Sequence, residues 1–203
     1  HNGRRRQRQM CIRDRIFLFA IILFFTPLKI VFSQYGGFND SPFKEGALVT
    51  AVKTGKLKDI VTALNSGASL NEKDFDEVPA LLLAIERSRL DMAFLLIEKG
   101  ARVNIKDQNN RTALTLAVLK DDANLIKSLI NYGADPDKLG PNRQTPLIIA
   151  SREGKFNSVK ALIDGGAYLD DTDLTGRTAL DWAKIKRFKR IESILVEKGA
   201  YLN

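Results

Sequence analysis

The apolar positions of this chain repeat every 33 residues from residue 48 onwards. Leucine recurs at this interval, and alanine follows each leucine by three, at Leu48, Leu81, Leu114, Leu147 and Leu180 and at Ala51, Ala84, Ala117, Ala150 and Ala183. A Gly-Ala dipeptide recurs at the same interval, with its glycine at Gly67, Gly100, Gly133, Gly166 and Gly199. The residue four positions after each of these glycines is Asn or Asp. A fixed period of this length indicates stacked copies of one small structural unit.

Within each period the pattern indicates two short helices separated by tight turns. Thr145-Pro146 has the residue types of an N-cap and a first helical position, where the missing N–H of proline is not needed. Thr178 and Asp181 have the spacing of a capping box. An apolar stripe at spacings of three and four then indicates a second helix, formed by Phe156, Val159, Leu162 and Ile163. A unit of this size cannot bury its own apolar face, so neighbouring units must stack.

The first and last units differ from the inner ones. The position of Val159 becomes Glu192 in the last unit, and that of Phe156 becomes Lys189. These polar residues suit the end of a stack, so we expect the last unit to be a cap. At the other end, Ser41-Pro42 has the residue types of an N-cap pair, which predicts that the first helix begins about five residues early.

Several segments of these units resemble ankyrin repeats. The family's Thr-Pro-Leu-His-x-Ala element is matched at residues 145–150, and more loosely at 112–117 and 178–183. Its Leu-Leu-x-x-Gly-Ala ending is matched at 96–101, 129–134, 162–167 and 195–200. The motif's histidine is absent from every copy, and Arg143 stands where a turn glycine is expected.

The resemblance implies an all-α solenoid over residues 41–203, made of five 33-residue helix-turn-helix repeats joined by β-turn fingers. Its repeats are placed near residues 41–71, 72–104, 105–137, 138–170 and 171–203. It also implies a non-catalytic module that binds other proteins, with the leucine and glycine series above as structural positions.

The N-terminal residues predict export. A basic stretch precedes the ten-residue apolar run Ile16–Phe25, and Val31 and Ser33 suit signal-peptide cleavage before Gln34. Residues 1–33 are therefore interpreted as a signal peptide, and 34–40 as a short lead-in. The string Gln9–Asp14 resembles a translated sequencing adapter, which leaves open whether residues 1–15 belong to the natural leader. The alternative is a membrane-tethered scaffold that keeps residues 16–32 as an uncleaved anchor, although Pro27 and Lys29 interrupt that segment.

Composition narrows the function further. Residues 1–33 hold seven of the 32 Lys and Arg residues and one of the 24 acids, which leaves 25 bases and 23 acids in residues 34–203. This near balance argues against a nucleic-acid partner. The single His is His1 and the single Cys is Cys11, so the repeats lack the usual nucleophiles, imidazole bases and zinc ligands. The acidic run Asp170–Asp173 lacks the glycine and glutamate of a calcium loop.

We therefore expect a monomer that is not an enzyme, holds no metal or cofactor and binds a protein partner. After signal cleavage it would have no membrane contact and would be periplasmic or secreted. The family's binding surface is implied at the turn tips and the adjoining helix ends, with candidate residues Phe75, Asp76, Asn109, Arg111, Asn142, Arg143, Leu174 and Arg177. The three arginines are predicted to form a basic edge along consecutive repeats, and the alternative is ordinary surface arginine.

Overall fold

The structure is a computed structural model and describes residues 45–201. The prediction of an all-helical fold is confirmed over this range, which contains ten α-helices, one short 3₁₀ turn at Pro141–Arg143 and no strand. The helices are α1 (Ala47–Thr54), α2 (Leu57–Asn65), α3 (Ala80–Glu86), α4 (Leu90–Glu98), α5 (Ala113–Leu119), α6 (Ala123–Asn131), α7 (Pro146–Arg152), α8 (Phe156–Asp164), α9 (Ala179–Ile185) and α10 (Lys189–Glu197).

The ten helices form five consecutive pairs, α1–α2 to α9–α10, which we call pairs 1 to 5. Equivalent helices of neighbouring pairs begin 33 residues apart, so the sequence period is also the structural period. The first helices α1, α3, α5, α7 and α9 pack against one another in this order, and each second helix packs against the first helix of its own pair. The result is a stack in which each pair contacts only its neighbours.

One continuous apolar core runs along the stack from Leu48 in α1 to Ala200 after α10. The five leucines of the 33-residue series have exposed fractions of at most 2%, and the alanines that follow them are also buried. The five glycines that follow the second helices have φ between 85° and 93°, in the left-handed region. A Cβ at these glycines would meet nothing within 4 Å, so it is the backbone conformation that favours glycine there.

Local capping explains where three of the first helices begin. The hydroxyls of Thr112, Thr145 and Thr178 accept hydrogen bonds from backbone N–H groups three residues later. The predicted capping box is present, because Asp181 Oδ2 also accepts from the Thr178 N–H at 2.9 Å. These side-chain bonds satisfy donors that the first turn leaves without helical partners.

The prediction for the first helix was wrong. Helix α1 begins at Ala47, in register with its counterparts, and its N-cap is Gly46. The cap comes from another part of the chain, because Glu72 Oε2 accepts hydrogen bonds from the N–H groups of Leu48 at 2.8 Å and Val49 at 3.0 Å. Since a distant carboxylate satisfies these donors, α1 does not need a Ser or Thr directly before it.

Neighbouring pairs are also joined by hydrogen bonds from the Asn/Asp series that follows the Gly-Ala dipeptides. Each Oδ1 atom accepts the backbone N–H 31 residues later, at 2.9 to 3.0 Å. These bonds join Asn71 to Arg102, Asn104 to Asp135, Asp137 to Tyr168 and Asp170 to Tyr201. The series therefore has a structural role, which is to fix each unit on the next.

Several predictions lie outside the described residues, namely the signal peptide, the lead-in, the Ser41-Pro42 pair and Asn203. Among residues 45–201, no helix has the length and apolar character needed to cross a membrane. In the fifth pair Lys189 is exposed and Glu192 is half-buried, whereas the equivalent Val159 of the fourth pair is fully buried.

Candidate functional site

Four loops project between consecutive pairs, and we call them the finger loops: residues 74–78, 107–111, 140–144 and 173–177. Each is closed by a bond from the N–H of its first residue to the carbonyl of its fifth, at 2.8 to 3.1 Å. The next-to-last residue of each loop has positive φ, namely Glu77, Asn110, Arg143 and Gly176. Arg143 therefore does occupy the turn-glycine position, with φ of 55°, a conformation that is uncommon for residues other than glycine.

An aspartate at the base of three finger loops organises them, and the sequence analysis did not identify it. Asp74, Asp107 and Asp173 are buried, and each Oδ1 atom accepts backbone N–H groups two and four residues later. A signal was present in the sequence, because these aspartates follow the 33-residue period with Gly140 in the remaining copy. These carboxylates accept hydrogen bonds from the backbone of their own loops, so their role is structural.

Seven of the eight predicted site residues are exposed at the finger loops. Phe75 is 63% exposed and Leu174 is 68% exposed, and these two apolar side chains occupy the same position of their finger loops. The other exposed residues of this set are Asp76, Asn109, Asn142, Arg143 and Arg177. The finger loops thus present polar and apolar side chains together on a hydrogen-bonded base.

The three predicted arginines do not form one row. Arg111 and Arg177 occupy the same loop position, 66 residues apart, but the intervening copy of this position is Gln144. Gln144 is buried, with an exposed fraction of 4%. Arg143 lies one residue earlier, at the tip of its loop. The three arginines therefore do not share one loop position, and a basic edge that runs through Arg143 stays a prediction.

Arg111 is not a free surface arginine. Its Nε donates to Asp107 Oδ2 at 2.6 Å and its Nη1 donates to Glu86 Oε1 at 3.0 Å, leaving the side chain 23% exposed. Partial burial alone would lower the pKa of Arg111, but the hydrogen bonds to Asp107 and Glu86 outweigh burial and raise this pKa. Arg111 therefore joins its finger loop to α3, and its Nε and Nη1 groups already donate to acceptors within the protein.

Arg177 has different surroundings, although it occupies the same loop position. The guanidinium carbon lies 5.2 Å from the centroid of the Trp182 ring, and Nη1 donates to Thr175 Oγ1 at 3.1 Å. None of the ion pairs found within residues 45–201 involves Arg177. Its charge is therefore held in place by an aromatic ring and not neutralised by a carboxylate.

Asp173 has no free oxygen for Arg177. Its Oδ2 accepts from Trp182 Nε1 at 2.9 Å and from Gln144 Nε2 at 3.1 Å, while Oδ1 accepts the Thr175 hydroxyl at 2.5 Å. Burial alone would raise the pKa of Asp173, but the hydrogen bonds from Thr175, Trp182 and Gln144 outweigh it and hold the pKa well below its usual range. Asp173 is therefore an ionised structural group.

Exposed charge also follows the first helices. Arg87, Lys120, Glu153 and Lys186 lie at equivalent positions directly after α3, α5, α7 and α9, and all four are exposed. Within the described part of the chain, no group of three or more acidic, His or Cys residues is arranged to hold a metal ion. Asp170, from the acidic run, is bonded to the Tyr201 N–H instead.

Comparison with known proteins identifies the fold family. The sequence model of the family described as "Ankyrin repeats (3 copies)" matches residues 48–139 and again residues 117–203. No curated protein was found to match the chain. Ankyrin repeats are generally protein–protein interaction modules and are typically non-catalytic. Since the two matches together run from residue 48 to residue 203, this chain belongs to the ankyrin-repeat family.

Proposed function

We propose that this protein is a non-catalytic binding module of five ankyrin repeats, each formed by one helix pair and its loop, and that it binds or protects another exported protein. The binding surface consists of the finger loops and the adjoining ends of the first helices. The exposure of Phe75 and Leu174 carries this proposal, since both large apolar side chains stand at equivalent loop positions in separate repeats.

Two further observations support this surface. Every finger loop is closed by a backbone bond, and three of the four are braced by a buried aspartate, so their backbones have little freedom to lose on binding. Their exposed residues combine apolar and charged groups, which is the composition of many protein interfaces. The molecule acts in this proposal as a monomer, without cofactor, metal or nucleic acid.

Export rests on the sequence of the leader. The apolar run Ile16–Phe25 and the cleavage signal Val31-x-Ser33 favour a signal peptide cleaved before Gln34, and hence a periplasmic or secreted protein. The alternative is a membrane-tethered scaffold with residues 16–32 as its anchor. Expression in a Gram-negative host with a replaced initiator distinguishes them: a released protein beginning at Gln34 supports export. Recovery in membranes with residues 16–32 intact contradicts cleavage and supports the tether.

The binding surface is tested by a pull-down from the envelope fraction of the native cells. The double variant Phe75→Ser, Leu174→Ser is expected to lose the captured partner without loss of helicity, because both side chains are largely solvated. Tyr132→Ser is the matched control, since it removes an exposed aromatic side chain after α6, away from the finger loops. If the Tyr132 variant loses the partner and the double variant retains it, the site is elsewhere.

A further inference from the structure

Pairs 3 and 5 offer an internal comparison, because their finger loops share the arrangement Asp-x-x-x-Arg. In the loop before α5, Arg111 bonds to the base aspartate Asp107 and to Glu86 at the end of α3. In the loop before α9, the residue equivalent to Glu86 is Arg152, so the acidic partner from the preceding helix is replaced by a base. The same loop position is thus neutralised in one copy and not in the other.

The second difference lies at the base aspartate. Asp107 Oδ2 is available to Arg111, whereas Asp173 Oδ2 is occupied by Trp182 and by Gln144. Trp182 thus has two effects: its indole N–H takes the carboxylate oxygen that the arginine would use, and its ring supports the displaced guanidinium. The guanidinium of Arg177 is exposed on an aromatic platform, with donors that its loop does not use.

The surface around Arg177 is both apolar and basic. Leu174 lies in the same loop, and Ile185 lies one helical turn after Trp182 with an exposed fraction of 53%. Arg143 in the preceding finger loop and Lys186 after α9 are exposed positive charges. Of the exposed acids, Glu153 pairs with Arg152, and Asp170 accepts the Tyr201 N–H. Asp181 is used in the capping box of α9. The complement of this surface is an acidic segment that also carries an apolar side chain.

We infer that Arg177, supported by the Trp182 ring, binds a side-chain carboxylate of an extended segment of the partner protein, and that Leu174 and Ile185 contact an adjacent apolar side chain of the same segment. This inference rests on the proposed function and specifies one subsite within the binding surface. Arg and Trp are the residue types most often found at the energetic centres of protein interfaces. An apolar contact beside an arginine–carboxylate pair also excludes water from the charged hydrogen bonds of that pair.

The test is a selection from a library of random peptides, with the full-length protein as the target. Each peptide is attached to its display particle by the C-terminus, so it has no free C-terminal carboxylate. The selected peptides are expected to carry Asp or Glu next to a large apolar residue. A selected sequence is then synthesised with an amidated C-terminus, and its affinity is measured by isothermal titration calorimetry. Replacing its acid by the amide is expected to weaken binding about tenfold or more, and added salt is expected to weaken it as well.

Three protein variants make the test specific. Arg177→Ala is expected to weaken the acidic peptide about tenfold or more. Trp182→Phe keeps a ring but removes one of the two donors to Asp173 Oδ2, the other being Gln144 Nε2. Arg177 is then expected to turn to Asp173 as Arg111 turns to Asp107, and the peptide to bind more weakly again. Lys160→Ala is the matched control, because it removes an exposed positive charge on α8 and is expected to leave binding unchanged. Circular dichroism establishes that each variant is folded.

Several outcomes would overturn the inference. These are selected peptides without acidic enrichment, or equal affinity for Arg177→Ala and the parent protein. Peptides whose binding survives Arg177→Ala but is lost with Phe75→Ser contradict this subsite and leave the proposed finger-loop surface intact. Peptides that bind independently of both residues contradict the proposed surface too.

Discussion

At the scale of single residues, the chain uses chemically different side chains for one repeated task. Asn71, Asn104, Asp137 and Asp170 all accept the N–H 31 residues later, so an uncharged amide oxygen is sufficient for this bond. In Asp137 the charge is a disadvantage: burial, followed by repulsion from Asp171 and Asp135, raises the pKa of this carboxyl although the Tyr168 N–H lowers it.

Replacing Asp137 by Asn should therefore stabilise the protein at neutral pH. Because the folded pKa of Asp137 is raised above its ordinary value of 3.8, its favourable contribution is complete below that value and is lost as pH rises through the folded pKa. The gain at pH 7 is expected to be at most about 1 kcal/mol, since a half-exposed charge is screened by solvent. Urea unfolding measured at pH 7 and pH 3 should show the gain only at pH 7.

The reverse change supplies the control. Asn104→Asp introduces the charge at the equivalent position and also removes the Nδ2 bond to the Gly133 carbonyl at 2.8 Å, so it should destabilise the protein. An Asp137→Asn variant that is less stable than its parent at pH 7 would contradict the role given to this charge.

A second residue-scale prediction separates the arginines. Arg111→Ala removes both bonds to acidic groups and leaves the buried Asp107 carboxylate without its ionic partner, so a loss of about 1–3 kcal/mol in unfolding free energy is expected. Arg143→Ala should change stability by no more than about 0.5 kcal/mol, because this side chain is exposed. Chemical denaturation of both variants measures the contrast, and equal losses would show that the Arg111 bonds do not stabilise the fold.

At the scale of elements, the helices are short, and their ends decide where they form. The first helices α3, α5, α7 and α9 have seven residues each, too few to be stable as isolated helices, so caps and packing must supply the stability. Helices α5, α7 and α9 have local threonine caps, and Pro79 before α3 supplies no side-chain cap. The cap of α1 comes from Glu72, which lies 24 residues after Leu48 in the chain.

The cap of α1 can be tested with two variants that act on the same contact. Glu72→Ala removes the carboxylate and should cost about 1 kcal/mol, the usual value of a helix cap. Gly46→Ala should have a similar effect, because the new Cβ would overlap the Glu72 carboxyl group and displace it from the helix end. The backbone itself is not strained by this change, since the φ of −58° at Gly46 suits alanine. Thermal and urea unfolding give the two losses.

The double variant distinguishes this mechanism from two unrelated effects. If both substitutions act through the Glu72 bonds to the N–H groups of Leu48 and Val49, the combined loss should be no larger than the greater single loss. Additive losses would show that Gly46 has a separate role.

At the scale of the whole molecule, the 33-residue period is the unit of packing. Each pair contacts its neighbours through first helices and through the Asn/Asp bonds, so the free energy of unfolding should be approximately a sum over pairs and interfaces. The distribution of buried leucines supports this, since every pair contributes to one continuous core.

Deleting residues 105–137 should therefore leave a shorter folded stack. The deletion removes one period, and Asn104 then takes the place of Asp137 opposite the Tyr168 N–H. A lower melting temperature and a smaller denaturant slope are expected, with cooperative unfolding retained. Deleting residues 105–121 removes only part of a period, breaks the register and should abolish the cooperative transition. Equal damage from both deletions would show that the period is not the structural unit.

Much of the fold was predictable from the sequence because the stack is repetitive and its signals are local. The leucine, alanine and glycine series predicted the helix pairs, and the capping box between Thr178 and Asp181 was predicted from residues three apart. The base aspartates of the finger loops were equally accessible in principle, because Asp74, Asp107 and Asp173 follow the same period. These features depend on backbone conformation and on nearest neighbours, which a short segment of sequence determines.

Only the tertiary structure decided what the polar side chains contact. Glu72 caps α1 from 24 residues away, Glu86 neutralises Arg111 across 25 residues, and Gln144 occupies Asp173 across 29 residues. Sequence alone placed Arg111 and Arg177 in one class, and the fold separated them by bringing a glutamate to one and a tryptophan to the other. The physical reason is that the partners of a charged side chain are set by the packed structure. Glu72, Glu86 and Gln144 lie about one repeat away from the groups they contact, and stacking brings them together. Trp182 is close to Arg177 in the chain, and the start of α9 places its ring beside the guanidinium.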